Sequence, residues 1–189
     1  MRDPEIRLAA KTSFLAPFVS DPDVLVIEEL GLRHGAGRVD IAVVNGELHG
    51  YELKSDQDTL KRLPRQIAIY GSVLDRVSLV VTSEHLLQAE KLVPSWWEII
   101  LADRAIDGSV TFNVVRSGSK NQNVSSSEVL KLLWREEALA VLEELQAAKG
   151  MKSKSRKLIY KRIHELIELI GIQDRVRRAL KTRKCWRSA

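Results

Sequence analysis

The alternation of apolar and polar positions divides the chain into a strand-rich first part and a helical last part. Asp3-Pro4-Glu5 reads as a helix start, with Asp3 able to cap, Pro4 suited to the first helical position and Glu5 facing the positive end of the helix dipole. Ile6, Leu8, Ala9 and Phe14 continue it. Val24–Ile27 is short and β-branched enough to be a strand, and Gly31, Gly35 and Gly37 mark a turn region. Val39–Val44 and Leu48–Lys54 flank Asn45-Gly46, a pair suited to turn positions of positive φ, so they predict a β-hairpin. From Thr59 the spacing becomes helical through Leu60, Leu63, Ile67, Tyr70 and Leu74, with Pro64 in the first turn. Val77–Val81 then reads as a strand that a crossover helix would set parallel to the hairpin.

A short helix over Glu84–Leu92 and two strands, Trp97–Leu101 and Val110–Val115, complete a core that ends in the polar linker Ser117–Asn123. Ser125-Ser126-Ser127-Glu128 offers a capping box to one long helix reaching Ala148. A helical hairpin follows, Leu158–Ile170 and Ile172–Lys181 around Gly171, with Leu158, Ile159, Ile163, Leu166, Ile167 and Ile170 as its buried stripe. The expected fold is α/β, a mixed sheet flanked by helices with a C-terminal helical extension. Its expected parts are a core over residues 1–118 and a basic helical region over 124–189.

Composition sharpens this picture at three points. The single cysteine, Cys185, excludes an intramolecular disulfide and a zinc site of its own, and is taken as an incidental thiol in a reducing compartment. No run approaches the roughly 18 apolar residues of a membrane span, so the expected location is the cytoplasm. Residues 152–189 hold 13 Lys and Arg against 3 Asp and Glu, a local excess of +10 that leaves the remainder at −5. An acidic body with a basic tail suits an anionic partner such as nucleic acid, although solubility alone accounts for such a tail too.

The candidate chemistry lies on the hairpin. Asp40 falls on its first strand, and Glu52 and Lys54 share one face of the second, since alternate strand residues point the same way. Two carboxylates and a backbone carbonyl, that of Leu53, can hold Mg²⁺ or Mn²⁺, which lowers the pKa of an attacking water; a lysine beside them can orient that water or steady phosphate charge. An acid two residues before a lysine occurs once or twice by chance at this composition, so its placement is what counts. With the order helix, three strands, helix, strand, the set Asp40, Glu52 and Lys54 resembles the PD-(D/E)XK nuclease superfamily over about residues 3–82, which implies a restriction-endonuclease-like mixed sheet. Val39 stands where the name has proline. The resemblance adds Glu5 on the first helix and the pair Gln66 and Tyr70 as further site residues. The Asp-x-x-Ile-Arg start, Gly-Tyr-Glu-Leu-Lys-Ser-Asp and Leu-Pro-Arg-Gln stretches are similar to those of a group of small bacterial and phage proteins within that superfamily.

Each of these residues also has a structural reading. Asp40 can be a strand-end polar residue, Glu52 and Lys54 an ion pair on a solvated sheet, Gln66 and Tyr70 a hydrogen-bonded surface pair, and Glu5 a residue that compensates the helix dipole. Lys61, Arg62 and Arg65 suit phosphate contacts or a solvated helix face. His34, His49, His85 and His164 lack metal-ligand spacing, and Trp96-Trp97 suits a loop anchor better than base stacking. The resemblance implies a Mg²⁺- or Mn²⁺-dependent endodeoxyribonuclease, a phosphodiester hydrolase acting on DNA. Against it stands a non-catalytic or partner-dependent nucleic-acid-binding, regulatory module of the same fold, with a homodimer or a protein partner on the C-terminal helices.

Overall fold

The computed structural model describes residues 1–183; Cys185 lies outside the described residues. The protein is mixed α/β, built on one six-stranded sheet in the order β1 to β6. The strands are β1 (Leu25–Leu32), β2 (Gly37–Val44), β3 (Leu48–Lys54), β4 (Arg76–Val81), β5 (Glu98–Arg104) and β6 (Val110–Arg116). The β1–β2–β3 meander is antiparallel, β3, β4 and β5 run parallel, and β6 returns antiparallel to β5. The parallel step from β3 to β4 is bridged by α3 (Leu63–Val73), and that from β4 to β5 by α4 (Ser83–Leu92), as parallel neighbours require.

Helices α1 (Asp3–Thr12) and α2 (Ala16–Ser20) cover one face, where Ile6, Ala10 and Leu15 pack on Ile41, Val43, Tyr51 and Leu53. The other face carries α3 and α4 together with the C-terminal helices α5 (Ser126–Val129), α6 (Arg135–Glu144), α7 (Arg156–Leu166) and α8 (Leu169–Thr182). Ile159, Ile163, Ile172 and Val176 from that region share one apolar cluster with Leu79, Val81 and Trp97. No helix among the described residues is long and apolar enough to cross a membrane.

Four local expectations are corrected. The hairpin loop has three residues, with positive φ only at Gly46 and the Asn45 N–H donating to the Glu47 carbonyl. Gly31 lies inside β1 rather than in a turn. The long helix expected from Ser125 is interrupted: a 3-10 turn at Leu130–Leu132 follows α5, Leu133 turns extended, and α6 starts anew with Glu137 accepting the Trp134 N–H at 2.6 Å. Gly171 sits in the first turn of α8, not between two helices, and Leu158, Leu166 and Ile170 of the expected stripe are exposed while Ile159 and Ile163 are buried.

The Ser117–Asn123 stretch is polar but pinned. Asn121 is buried, and its side-chain amide donates to the Gly71 and Leu74 carbonyls at 2.8 and 2.9 Å. Next to it the buried Asp75 accepts from the Leu48 N–H (2.7 Å) and from Gln173 of α8 (2.6 Å), with Arg177 at 3.5 Å. Burial raises the Asp75 carboxyl above its ordinary range, while the Leu48 N–H and Arg177 oppose that rise. One carboxylate thereby ties the last helix to the sheet.

Candidate functional site

Strand alternation slips by one residue at Asp40. Ala42 and Val44 face the α3 side and Ile41 and Val43 the α1 side, yet Val39 returns to the α3 side. The neighbouring strand slips at the same level: Ile27 and Leu30 share a face, and Glu29 between them has φ 58° and no ladder partner in β2. Asp40 therefore leaves both ladders. Its carbonyl accepts from Arg7 Nη1 at 3.0 Å, and β2 parts from β3 beyond the Ile41–Tyr51 pair. The freed Leu53 N–H donates to Asp40 Oδ2 at 2.8 Å, so a carboxylate stands where a ladder carbonyl would otherwise be.

Glu52 and Lys54 lie on the face of β3 that meets α3, and both are almost fully buried, at 2 and 1 % exposure. Glu52 Oε1 accepts from Lys54 Nζ and from Gln66 Nε2, and its Oε2 lies 2.5 Å from the Tyr70 hydroxyl. That hydroxyl also lies 2.5 Å from the Arg38 carbonyl and accepts from Gln66 at 3.2 Å. A helical separation of four puts Gln66 and Tyr70 on the same side of α3, facing the strand. The structure thus brings together Asp40, Glu52, Lys54, Gln66 and Tyr70, with the Leu53 main chain as part of the same network.

It leaves the other candidates apart. Glu5 accepts from the Arg2 N–H at 2.7 Å and pairs with Arg104 at 3.1 Å, and these bonds lower its carboxyl pKa. Lys61, Arg62 and Arg65 are exposed around the start of α3, where Arg65 Nη2 donates to the Ala36 carbonyl.

The electrostatics follow from burial. Loss of water pushes the Asp40 carboxyl up to about 7 and the Glu52 charge pushes the same way, while the Leu53 N–H, Arg7 and Lys54 pull it down. Burial and the adjacent Glu52 also hold the Tyr70 phenol far above its ordinary range.

Arg7 is the residue that sequence reasoning missed. It contacts Asp40 at 3.3 Å and Glu29 at 3.0 Å, with Asp3 and Glu28 also in reach. Its position four residues after Asp3 on a helix start was the available signal. A second polar chain also escaped that reading: Tyr51 Oη, His49 Nδ1, His49 Nε2, Ser78 Oγ and Glu98 Oε2 follow one another across β3, β4 and β5 at 3.2, 2.8 and 2.5 Å. Burial pushes the His49 imidazole down to about 4. Trp97 is fully buried and stacks on Tyr70, so it anchors the core.

Both oxygens of Glu52 and both of Asp40 already face protein donors, and two cations, Lys54 and Arg7, occupy the positions of charge compensation. Among the described residues no group of three or more His, Cys, Asp or Glu is placed to hold a metal.

A family model described as Bacteriophage P4 protein cII matches residues 14–188. The chain belongs to that family. The curated relative Protein cII of Enterobacteria phage P4 is 28% identical over 122 residues, which are 65% of this chain and 46% of the relative, so the chain spans about half the length of the curated relative it matches. A solved structure of a protein of unknown function from Silicibacter pomeroyi aligns with 82% of this chain and 97% of its own, at 22% identity and a TM-score of 0.46.

Membership of the P4 cII family overturns the resemblance to the PD-(D/E)XK nuclease superfamily. The expectations that depended on it, a metal-dependent endonuclease and a phosphodiester hydrolase, are withdrawn for the same reason. The motif misled because three residues and a supporting pair specify a polar cluster on a hairpin, and such a cluster is as useful to a buried core as to a reaction.

Proposed function

We propose that the chain is a non-catalytic nucleic-acid-binding, regulatory module acting in the cytoplasm, and that its acid–lysine cluster holds the β3–α3 junction together. The observation that carries this reading is the enclosure of the Glu52–Lys54 pair, in which Glu52 Oε1 accepts from Lys54 and Gln66 and its Oε2 faces the Tyr70 hydroxyl. A buried ion pair hydrogen-bonded in this way fixes the arrangement of its neighbours. Exposed cations elsewhere supply affinity for phosphates, by displacing counterions from the nucleic acid.

The test is a salt titration of the full chain with a labelled DNA duplex in the presence of Mg²⁺, with DNA length followed on a gel. Binding that weakens steeply with salt, with the DNA left intact, is expected. Absence of salt-sensitive binding at about 50 mM salt, the range in which phosphate contacts are strong, would overturn the reading.

The divalent ion expected from the sequence has no resident place in this proposal. A saturable rise in melting temperature with micromolar Mn²⁺ would count against it. A second copy on the C-terminal helices remains part of the proposal, because Leu158, Leu166 and Ile170 stand exposed there. Sedimentation of the chain with Ile170→Glu against wild type reads that contact directly.

A further inference from the structure

Between β1 and β2 the chain passes through three consecutive left-handed residues, Arg33, His34 and Gly35, with φ of 51°, 57° and 86°. Glycine adopts this conformation freely, whereas other residues pay for it, and such strain collects where side chains have a task. Two of these three positions carry cationic or ionisable side chains.

The turn is held from both sides. Arg65 of α3 donates to the Ala36 carbonyl at 2.9 Å, and the His34 ring lies nearly parallel to Tyr160 of α7 with centroids 6.2 Å apart. Arg33 pairs with Glu128 at 2.6 Å, a carboxylate that also serves Lys131. Partial burial lowers the His34 pKa, and the charges of Arg156 and Lys131 push the same way. The turn therefore joins the start of α3 to the start of α7, two basic stretches far apart in sequence.

Lys61, Arg62, Arg65 and Arg156 are exposed along this line. Among the described residues, no carboxylate lies within 4 Å of Lys61, Arg62 or Arg156. Asp58, which feels the charge of Arg62, spends its carboxylate on the Ser55 N–H and hydroxyl. Exposed cations with no carboxylate within 4 Å, set beside a strained, pinned turn, are suited to a regular row of negative charges.

We propose that the strip formed by Lys61, Arg62, Arg65, the 33–35 turn and Arg156 is the surface that grips the phosphate backbone of a DNA duplex. It rests on the nucleic-acid reading above and gives that reading an address. The strip positions the duplex through phosphates and carries no base preference of its own.

The experiment measures duplex affinity of the full chain by fluorescence anisotropy at several salt concentrations. The test variant is Lys61→Ala/Arg62→Ala/Arg156→Ala, whose cations have no carboxylate within 4 Å among the described residues, so its melting temperature should stay close to that of wild type. The control is Lys91→Ala/Lys149→Ala, which removes exposed lysines outside the strip. The triple variant should bind at least tenfold more weakly, with the slope of log K against log salt smaller by about two to three, since each lost phosphate contact removes about 0.9. The control should stay within twofold. A triple variant within twofold of a salt-sensitive wild type would overturn the strip and leave the nucleic-acid reading to another surface. Equal loss in the control would overturn it in favour of bulk charge, and a wild type that binds no duplex would end both.

Discussion

Glu52 and Lys54 lie close in sequence to Lys61 and Arg62, yet the first pair is almost wholly buried and the second stands in solvent. In the buried pair each charge has its partner, and Gln66 and Tyr70 add hydrogen bonds to the Glu52 carboxylate. Among the described residues the exposed pair has no carboxylate within 4 Å, and Asp58, which feels the charge of Arg62, is hydrogen-bonded to Ser55. The difference teaches that charged residues announce a ligand only where the fold leaves them unsatisfied. On the proposed reading the cluster serves stability and the strip serves binding, and each prediction below either separates the two further or merges them.

The largest effect is expected from Lys54→Ala, which strands the Glu52 carboxylate in the core. Removing one partner of a buried pair costs about 3–5 kcal/mol, and urea unfolding should show a loss of that order. Glu52→Gln/Lys54→Met, which removes both charges, should cost much less than the two single changes added together. If the Lys54→Ala chain unfolds at the wild-type urea midpoint, the cluster is not holding the fold.

Asp75→Ala comes next. It takes the acceptor from the Leu48 N–H and from Gln173, and a stranded buried donor costs about 1–3 kcal/mol. Hydrogen exchange should quicken in α8 before it does in β3 and β4. Uniform exchange along the chain would show that Asp75 does not fasten the last helix.

Asp40 gives a pH signature. Its folded value of about 7 lies above the ordinary 3.8, so between those pH values the folded state keeps a proton that the unfolded chain releases. The stability contributed by Asp40 is therefore greatest below about pH 4, falls as pH rises to about 7, and is level above that. Asp40→Asn lacks this proton. Its stability relative to wild type should rise between pH 5 and pH 8, by about 2–3 kcal/mol. A flat difference would mean that Asp40 titrates normally.

The smallest effect is expected from His34→Gly, which relieves a left-handed histidine but removes its contact with Tyr160. The two changes oppose each other, and the unfolding free energy should move by less than about 1 kcal/mol. A loss several times larger would place His34 in the core's support rather than on the binding strip.

Much of the fold was legible because its signals are local. The Gly46 hairpin, the crossover helix with Pro64 and the parallel β4 follow from period-two and period-three-to-four spacing, and the same spacings brought Glu52, Lys54, Gln66 and Tyr70 onto facing surfaces. What was not legible depends on contacts between distant segments. The slip at Asp40 needs Arg7 from α1 and the left-handed Glu29 from β1. The break near Leu133 lies within an apolar helical pattern, and only the packing of Trp134 and the Glu137 cap reveal it. Activity was the least legible, because residue identity and spacing specify which groups meet but not whether they remain open to a substrate.

The division of labour is tested most directly by duplex DNA affinity of the folded Glu52→Gln/Lys54→Met chain, measured beside wild type at one salt concentration. The account predicts affinity within about twofold of wild type, because the lost groups are buried away from the phosphates. A tenfold or greater loss in a chain that is still folded would contradict it and place the acid–lysine cluster in the binding surface.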